Sequence, residues 1–354
     1  MSETTAVHAA ETTAARATDE LPGETVDAVV IGGGAAGLNG ALMLARSRRT
    51  VVVIDGGTPR NAPADGVHGL LGLEGIAPAE LLRRGRAEVR RYGGLVVTGE
   101  VASAAPTASA APTAPAPAAA GGDPRFTLTL ADGSTLTARR LLVATGLRDV
   151  LPEVRGLAEH WGHGVVHCPY CHGWEVRDEP IGILAVGPAS VHHALLFRQL
   201  TDDLVYFTRG TELDGDTRAR FAARGVRVVD TPVTEVVASE DGGIAGVHLS
   251  DGQLVARRVL AVATTMRART DGLEELGLPM QDLPGGTGRH FATGKAGATE
   301  VPGVWVAGNA TDLTAQVGAS AAAGALAGAH INADLAAADT EAALAATQRG
   351  RTRA

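Results

Sequence analysis

The chain has 354 residues, of which 45% are hydrophobic and 3% aromatic, and its formal net charge is -8. This length predicts roughly two domains with ample apolar cores. The acidic balance argues against nucleic acid as a partner, because phosphate binding needs a basic surface. No apolar run of about 18 residues is present, so no membrane-spanning segment is expected. A signal-peptide pattern is also lacking, and we therefore expect a cytoplasmic protein.

The first predicted elements form a strand–helix–strand unit around a glycine-rich turn. The apolar strand Asp27–Ile31 runs into the pattern G-x-G-x-x-G at Gly32, Gly34 and Gly37, which precedes an amphipathic helix. In this context the glycines predict, in order, a tight turn, a close approach of backbone to a pyrophosphate, and close helix–strand packing. Asp55 ends the next apolar strand, where its carboxylate is placed to accept hydrogen bonds from a ribose.

Two segments lack the large apolar side chains that a core needs. Residues 1–24 are polar and are predicted to be a disordered tail. Every residue of Ala102–Gly122 is Ala, Pro, Ser, Thr or Gly. Such a segment cannot bury enough surface to offset its ordering entropy. We therefore predict a disordered insertion over 101–124, between strands Leu95–Val101 and Arg125–Leu130.

The strand–helix–strand pattern occurs a second time along the chain. Pro180–Val186 and Leu204–Phe207 are predicted strands, and Val191–Leu200 between them is a predicted helix. Continuous apolar strands that alternate with helices indicate a parallel sheet covered on both faces. The sequence therefore predicts an α/β fold with two doubly wound, Rossmann-like dinucleotide-binding domains.

Cys168 and Cys171 are the two cysteines of the chain, and they stand at Cys-x-x-Cys spacing at the start of the second unit. In a reducing compartment this spacing indicates redox chemistry or a metal. A zinc site would need its four ligands within one tight loop, with no second cysteine pair, so no metal is expected. A glutaredoxin-like module would need a long helix after the motif, which Gly173 interrupts at once.

Through these motifs and their order, the chain resembles the low-molecular-weight thioredoxin reductase family of flavoproteins. The resemblance covers roughly Val26 to Leu335 and implies an FAD cofactor and a homodimer. It also implies a discontinuous FAD-binding domain over 25–148 and 266–335. The second domain, 149–265, carries the cysteines, and a C-terminal tail covers 336–354. The residues assigned to FAD by the glycine motif and the resemblance are Gly32, Gly34, Ala36, Gly37, Asp55, Arg60, Asn61, Ala144, Thr145, Gly146, Gly308, Asn309, Gln316 and Val317.

One of these residues departs from the family pattern. The last FAD motif of the family ends in Gly-Asp, and its Asp holds the ribityl chain, whereas Asn309 follows Gly308 in this sequence. An amide can still form a hydrogen bond with a hydroxyl group. Gln316 and Val317 fall at the N-terminus of the last helix, whose dipole would favour a reduced, anionic flavin.

The resemblance also implies roles for the catalytic residues. Cys171 would face the flavin, and Cys168 would be the thiol that exchanges with substrate. The chemistry needs one thiolate of low pKa as nucleophile. Thioredoxin reductases place an acidic proton shuttle after the second cysteine, and His172 stands there in this chain. Histidine can perform the same transfer near neutral pH, although it could also merely line the loop.

The second nucleotide-binding turn departs further from the family pattern. Thioredoxin reductases bind NADPH there through Gly-x-Gly-x-x-Ala, but Ala185 replaces the first glycine and Pro188 removes a backbone N–H. Of the family's two basic residues for the 2′-phosphate, only Arg209 corresponds to one in this chain. NADPH is therefore a doubtful cofactor.

Two further segments, 168–175 and 55–61, resemble a bacterial branch of FAD-dependent dithiol oxidases. Those enzymes form disulfides in natural products such as dithiolopyrrolones of the holomycin type, and they use O₂. The first prediction is therefore oxidation of a small-molecule dithiol through Cys168, Cys171 and FAD. The alternative is an NADPH-dependent, thioredoxin reductase-like enzyme that acts on a thioredoxin-like protein. A flavin-binding redox sensor is a third hypothesis, and the complete electron path argues against it.

Overall fold

The computed structural model describes residues 18–107, 123 and 125–352. The first part of the chain alternates strands and helices and ends in an antiparallel meander. Its elements are β1 (Val26–Ile31), α1 (Ala35–Arg46), β2 (Val51–Asp55), α2 (Pro78–Arg91), β3 (Leu95–Thr98), β4 (Val101–Pro106), β5 (Phe126–Leu130) and β6 (Thr135–Val143).

A second α/β unit is inserted between two short linking strands. Its elements, from the first linking strand to the last strand before the return, are β7 (Leu147–Val150), β8 (Val165–Val166), α3 (Pro169–His172), β9 (Ile181–Leu184), α4 (Ala189–Phe197), β10 (Leu204–Phe207), α5 (Gly215–Ala223), β11 (Arg227–Val229), β12 (Val233–Ala238), β13 (Ile244–Leu249), β14 (Leu254–Ala256) and β15 (Val259–Val262). The chain then returns to the first unit through β16 (Thr265–Ala268), β17 (Met280–Asp282), β18 (Gly288–Phe291), β19 (Val304–Val306) and α6 (Val317–Thr352).

The first sheet is parallel at its centre. Strands β3, β2, β1 and β6 lie side by side, and β19 pairs with the C-terminal half of β6. The N-terminal half of β6 pairs with β5 instead, which continues into β4. All five residues of β2 are buried, because apolar clusters cover both faces of the sheet.

The second sheet is parallel throughout, in the order β11-β10-β9-β15-β8. Helices α4 and α5 cover one face through Phe197 and Phe221. The antiparallel sheet β12-β13-β14 covers the other face through residues such as Val236 and Val247. Two parallel Rossmann-like sheets in one chain confirm the predicted fold class.

The linking strands β7 and β16 pair with each other in antiparallel register, so the chain leaves and re-enters the first unit at one place. Leu147 lies opposite Ala268, and Val150 lies opposite Thr265. Strand β16 also pairs with β18, which extends this small sheet to β17. The first unit, which contains the glycine-rich turn, and the inserted unit, which contains Cys168 and Cys171, are therefore joined through two paired strands.

The two ends of the first unit pack together through glycines. A side chain at Gly324 of α6 would place its Cβ 1.9 Å from the carbonyl oxygen of Ala36 in α1. A Cβ at Gly328 would lie 2.5 Å from the oxygen of Gly40. The backbones of α1 and α6 therefore approach more closely than any larger residue allows.

The structure differs from the sequence-based expectation in two segments. Residues 101–106 form β4, paired with β5, although they were predicted to belong to a disordered insertion; residues 108–122 and 124 lie outside the described residues. Residues 1–17 of the predicted tail also lie outside them, but Asp19 binds β3 through both its backbone N–H and its carboxylate. The predicted tail 336–354 continues α6 as far as Thr352.

Alanine and serine supply little apolar surface, but β4 is stabilised by backbone pairing and by Ala104, which is fully buried. Within the described part of the chain, no helix combines the length and the apolar character needed to cross a membrane.

Candidate active site

In the turn between β1 and α1, each glycine of the motif has different surroundings for a side chain. Gly32 has a positive φ of 111°, and a Cβ there would lie 2.3 Å from the carbonyl oxygen of Ala144. A Cβ at Gly37 would lie 1.9 Å from the oxygen of Gly32. A Cβ at Gly34, in contrast, would meet no atom within 4 Å, because it would point into an open cavity. The turn therefore leaves free the space that a pyrophosphate needs.

That cavity has a volume of about 260 Å³ and brings together most of the predicted site. The predicted residues that line it are Gly32, Gly34, Ala36, Asp55, Arg60, Asn61, Ala144, Thr145, Gly146, Asn309, Gln316, Val317, Cys171 and His172. Gly37, Gly308 and Cys168 do not line it. Gly308 has a positive φ of 72°, and a Cβ there would crowd the Cβ of Ala36 at 2.7 Å. Gly37 and Gly308 therefore shape the wall by allowing close packing.

Asp55 reaches the cavity with its carboxylate already bound. Its Oδ1 accepts a hydrogen bond from the N–H of Gly57 at 2.9 Å. Its Oδ2 accepts two from the guanidinium of Arg86, at 2.7 and 2.9 Å. The contact between this carboxylate and a ribose therefore stays a prediction. Arg86 orients the carboxylate that would make it. Sequence reasoning missed Arg86, which is 31 residues away in an arginine-rich helix.

The guanidinium of Arg60 lies at the cavity wall, but it is bound to Asp149 on β7. Nε and one terminal nitrogen donate to the two carboxylate oxygens at 2.6 and 2.7 Å. Burial opposes ionisation of Asp149, but the bonds from Arg60 and Thr264 outweigh it and hold the pKa of Asp149 below its ordinary value. The fork of Arg60 is therefore already occupied by a protein carboxylate.

Arg269 is the functional candidate that sequence reasoning missed. It follows β16, lines the cavity, and has a buried Nε with no hydrogen-bond partner. Its backbone is fixed by two bonds, from its N–H to the oxygen of Gly146 and from the hydroxyl of Thr145 to its own oxygen. A fixed, unpaired guanidinium nitrogen in a glycine-lined cavity fits the anionic diphosphate of FAD. The residues present therefore fit the cofactor that the resemblance implies.

The departure at Asn309 has a local explanation. The side-chain amide nitrogen of Asn309 lies within hydrogen-bond distance of three backbone oxygens, at 2.9 Å from Asp312, 3.4 Å from Leu313 and 2.8 Å from Ala315. A carboxylate has no hydrogen to donate to these oxygens. Asn309 therefore holds the loop that leads into α6, and this role is additional to any contact that its side chain makes with the cofactor.

Cys168 and Cys171 form a disulfide at the edge of this cavity. Cys168 caps the short helix α3, where its Sγ accepts a hydrogen bond from the N–H of Cys171 at 3.1 Å. Cys171 lines the flavin cavity, whereas Cys168 lies outside the lining. Tyr170 and Trp174 are exposed beside the pair, with Arg177 stacked on Trp174 at 4.2 Å. Cys171 therefore borders the cavity, and the roles of the two sulfurs stay predictions.

His172 lies next to Cys171 with a buried Nδ1 that has no hydrogen-bond partner. Burial lowers the pKa of His172 below its ordinary value, although the carboxylates of Glu175 and Asp65 oppose the shift. The cationic forms of His68 and Arg60 lower it further. A neutral imidazole with a free nitrogen, beside a sulfur that must change charge, has the properties of a general base.

In the second turn, between β9 and α4, two polar groups are engaged within the protein. Arg209 donates to the carbonyl oxygen of Ala185 at 2.9 Å. The N–H of Val186 donates to the hydroxyl of the buried Ser190 at 3.0 Å. Pro188, which caps α4, has no N–H to offer. Two donors of this turn are therefore bound within the protein, and Pro188 supplies none.

The fold and the site define a class of protein, a flavin-linked thiol–disulfide oxidoreductase with a redox-active Cys-x-x-Cys. Residues 26–329 match the family model described as pyridine nucleotide-disulphide oxidoreductase. The chain therefore belongs to the pyridine nucleotide-disulphide oxidoreductase family, and within it the protein is thioredoxin reductase-like. Membership implies FAD as the cofactor.

Individual relatives span most of the chain. Thioredoxin reductase tcpT of Claviceps purpurea is 34% identical over 74% of this chain and 79% of its own length. Thioredoxin reductase sirT of Leptosphaeria maculans is 31% identical over 86% of this chain and 93% of its own. The crystal structure of HlmI is 42% identical, with a TM-score of 0.83 over 94% of this chain and 99% of that one.

Proposed function

We propose that this protein is a dithiol oxidase, which converts a small-molecule dithiol to a disulfide through Cys168, Cys171 and FAD and passes the electrons to O₂. The observation that carries the choice is the second turn. The amide of Val186 and one guanidinium nitrogen of Arg209 are bound within the protein, and Pro188 has no N–H at all. An enzyme that takes its electrons from the substrate dithiol has no need of NADPH.

The chain's own residues provide the thiol exchange. His172 accepts the proton of the first substrate thiol, and the resulting thiolate attacks Sγ of Cys168, which breaks the bond to Cys171. After His172 has passed this proton to solvent, it accepts the proton of the second substrate thiol, whose thiolate attacks the substrate sulfur of the mixed disulfide and releases the product and the thiolate of Cys168. The N–H of Cys171 is placed to stabilise that thiolate. When bound, FAD would supply the two-electron redox chemistry that the reduced cysteine pair needs.

The alternative is an NADPH-dependent disulfide reductase that acts on a thioredoxin-like protein. The relatives named thioredoxin reductase favour it, as does the retention of Arg209. A guanidinium released from Ala185 would still offer bidentate hydrogen bonds to a 2′-phosphate.

Anaerobic mixing separates the two functions. A small dithiol such as dithiothreitol should bleach the flavin of the purified enzyme, and air should restore the colour with formation of H₂O₂. NADPH at the same concentration should bleach it slowly or not at all. Rapid, stoichiometric bleaching by NADPH would reject the oxidase and establish the reductase.

Cysteine variants test the path through the disulfide. Cys168→Ser and Cys171→Ser should both lose dithiol oxidation and keep FAD. The Cys168→Ser enzyme should show a long-wavelength charge-transfer band, because Cys171 stays beside the flavin. A band in the Cys171→Ser enzyme instead would reverse the two roles.

A further inference from the structure

The segment between β2 and α2 belongs to the first unit, which contains the flavin cavity. Two of its side chains contact the inserted unit, which carries Cys168 and Cys171. Arg60 and His68, both in this segment, line the flavin cavity. Arg60 binds Asp149 on the linking strand β7. His68 places its Nε2 3.5 Å from Oε1 of Glu175, four residues after Cys171, while its Nδ1 binds Glu74 at 2.7 Å.

The contact through Arg60 continues to the residue that precedes the disulfide. Asp149 accepts a third hydrogen bond at 2.6 Å from the hydroxyl of Thr264, just before the other linking strand, β16. The same hydroxyl lies 3.3 Å from Nδ1 of His167, which directly precedes Cys168. One chain of polar contacts therefore runs from the flavin cavity, across both linking strands, to the disulfide segment.

The ion pair at the start of this chain is unusually constrained. The side chain of Asp149 is only 6% exposed, and both of its oxygens are bound by the guanidinium. Bidentate pairs fix direction as well as distance. Removal of one partner of a buried pair leaves the other as an uncompensated charge. Because the two domains are covalently joined only through β7 and β16, an ion pair at β7 is well placed to fix their relative position.

We propose that Arg60 and Asp149 are positioning residues: their ion pair holds the segment of Cys168 and Cys171 against the flavin cavity, and Arg60 is a clamp rather than a ligand of FAD. The step that depends on this position is the oxidation of the reduced cysteine pair. In it the disulfide re-forms, two electrons and one proton pass to FAD, and the second proton leaves to solvent. The proposal rests on this thiol–flavin exchange and is independent of whether O₂ is the final acceptor.

A double-mutant cycle tests the clamp. Arg60→Met, Asp149→Asn and the double variant are compared with the wild type in FAD content, melting temperature and the rate of anaerobic flavin reduction by dithiothreitol. Each single variant should keep its FAD and lose about 10–100-fold in rate, because a displacement of about 1 Å costs this much. The double variant should be no slower than either single one, since both remove the same contact.

The control is Arg148→Gln on the same strand. Arg148 is 59% exposed and pairs with the exposed Asp271, so the variant perturbs a neighbouring ion pair that does not reach the cavity. It should keep the wild-type rate. Equal slowing in this control would show that any change to β7 affects the rate and would overturn the specific role of the clamp.

A spectroscopic readout keeps the test independent of turnover. In the Cys168→Ser background, the charge-transfer band reports the proximity of Cys171 to the flavin. Addition of Arg60→Met or Asp149→Asn should weaken the band at full FAD occupancy. Loss of FAD in Arg60→Met alone, with a normal Asp149→Asn enzyme, would identify Arg60 as a cofactor ligand and reject the proposal. If dithiothreitol fails to bleach even the wild type, the proposed function fails, but the band still decides the clamp.

Discussion

Gly34 is the position where a single side chain would compete directly with the cofactor. Its Cβ would enter open space, so the fold itself does not oppose a larger residue. We therefore expect Gly34→Val to fold normally and to bind no FAD, because the side chain fills the pyrophosphate position. Flavin absorbance of the purified protein measures this. Gly187→Val is the matched control, since a Cβ there also meets nothing within 4 Å but lies in the second turn. Normal flavin content in the Gly34 variant would place the cofactor elsewhere.

The protonation of His172 should shape the pH profile of the thiol reaction. Burial lowers the pKa of His172 below its ordinary 6.5, against the opposing effect of Glu175. The imidazole therefore stays neutral, and able to accept a proton, where a free histidine is already charged. We expect the midpoint of the acidic decline in the rate of flavin reduction by dithiol to lie below that of an ordinary histidine.

Stopped-flow rates across the pH range check this expectation. His172→Gln should be slower by about 10²–10⁴-fold and should lack the acidic decline, because general base catalysis is worth this much. His163→Gln is the control, since His163 is exposed in the same stretch of chain. An unchanged acidic decline in His172→Gln would show that another group accepts the proton.

For individual residues, the sequence predicts the role where that role depends on the neighbouring residues in the chain. Gly32, Gly34 and Cys171 are of this kind, and the structure brings them to one cavity. Partners distant in sequence could not be predicted. Arg60 reaches Asp149 across 89 residues, and Arg269 meets Thr145 across 124. Such contacts depend on the packing of the domains, which leaves no local pattern.

Among the elements, the pair α1 and α6 depends most on the absence of side chains. Gly324→Ala should lower the free energy of unfolding by about 1–3 kcal/mol or more, because its Cβ would lie 1.9 Å from a backbone oxygen that cannot rotate away. Chemical denaturation of the FAD-bound enzyme measures the change. Gly350→Ala on the same helix meets no atom within 4 Å and should be neutral or slightly stabilising. A neutral Gly324→Ala would mean that the helices can separate without cost.

Element type was predictable where apolar runs were long, as in β1, β2, β9 and β10. The prediction failed at β4 because backbone hydrogen bonds, which leave no trace in composition, pair its small residues with β5. The C-terminal tail continues the last helix, because alanine-rich sequence favours a helix even where little of it is buried. The failure at β4 came from reading composition as disorder.

At the scale of the whole molecule, the flavin cavity joins segments that are far apart in the chain. Its walls come from the first turn, from Ala144–Gly146 and from the start of α6. A ligand that binds only the folded state stabilises it, by about 2.7 kcal/mol at a concentration 100 times its Kd. We therefore expect the flavin-free protein to melt at a lower temperature, and added FAD to raise the melting temperature in a concentration-dependent way.

Thermal unfolding, monitored by circular dichroism, tests the expected stabilisation by FAD, and NADPH serves as the comparison. NADPH at equal concentration should leave the melting temperature of the flavin-free protein unchanged, because the N–H of Val186 and a nitrogen of Arg209 are bound within the protein and Pro188 has no N–H. A shift with NADPH similar to that with FAD would show that the second turn opens to a nucleotide.

The amide of Asn309 also limits how this sequence can change over evolutionary time. Replacement by Asp, the family's residue, would turn a donor to loop carbonyls into an anion that faces them. The family's Asp is therefore not restored usefully by a single substitution, because the loop over 312–315 would have to change with it. Asn309 and that loop form an epistatic unit, and a consensus-guided redesign that reverted the residue alone would damage the entry to the flavin site.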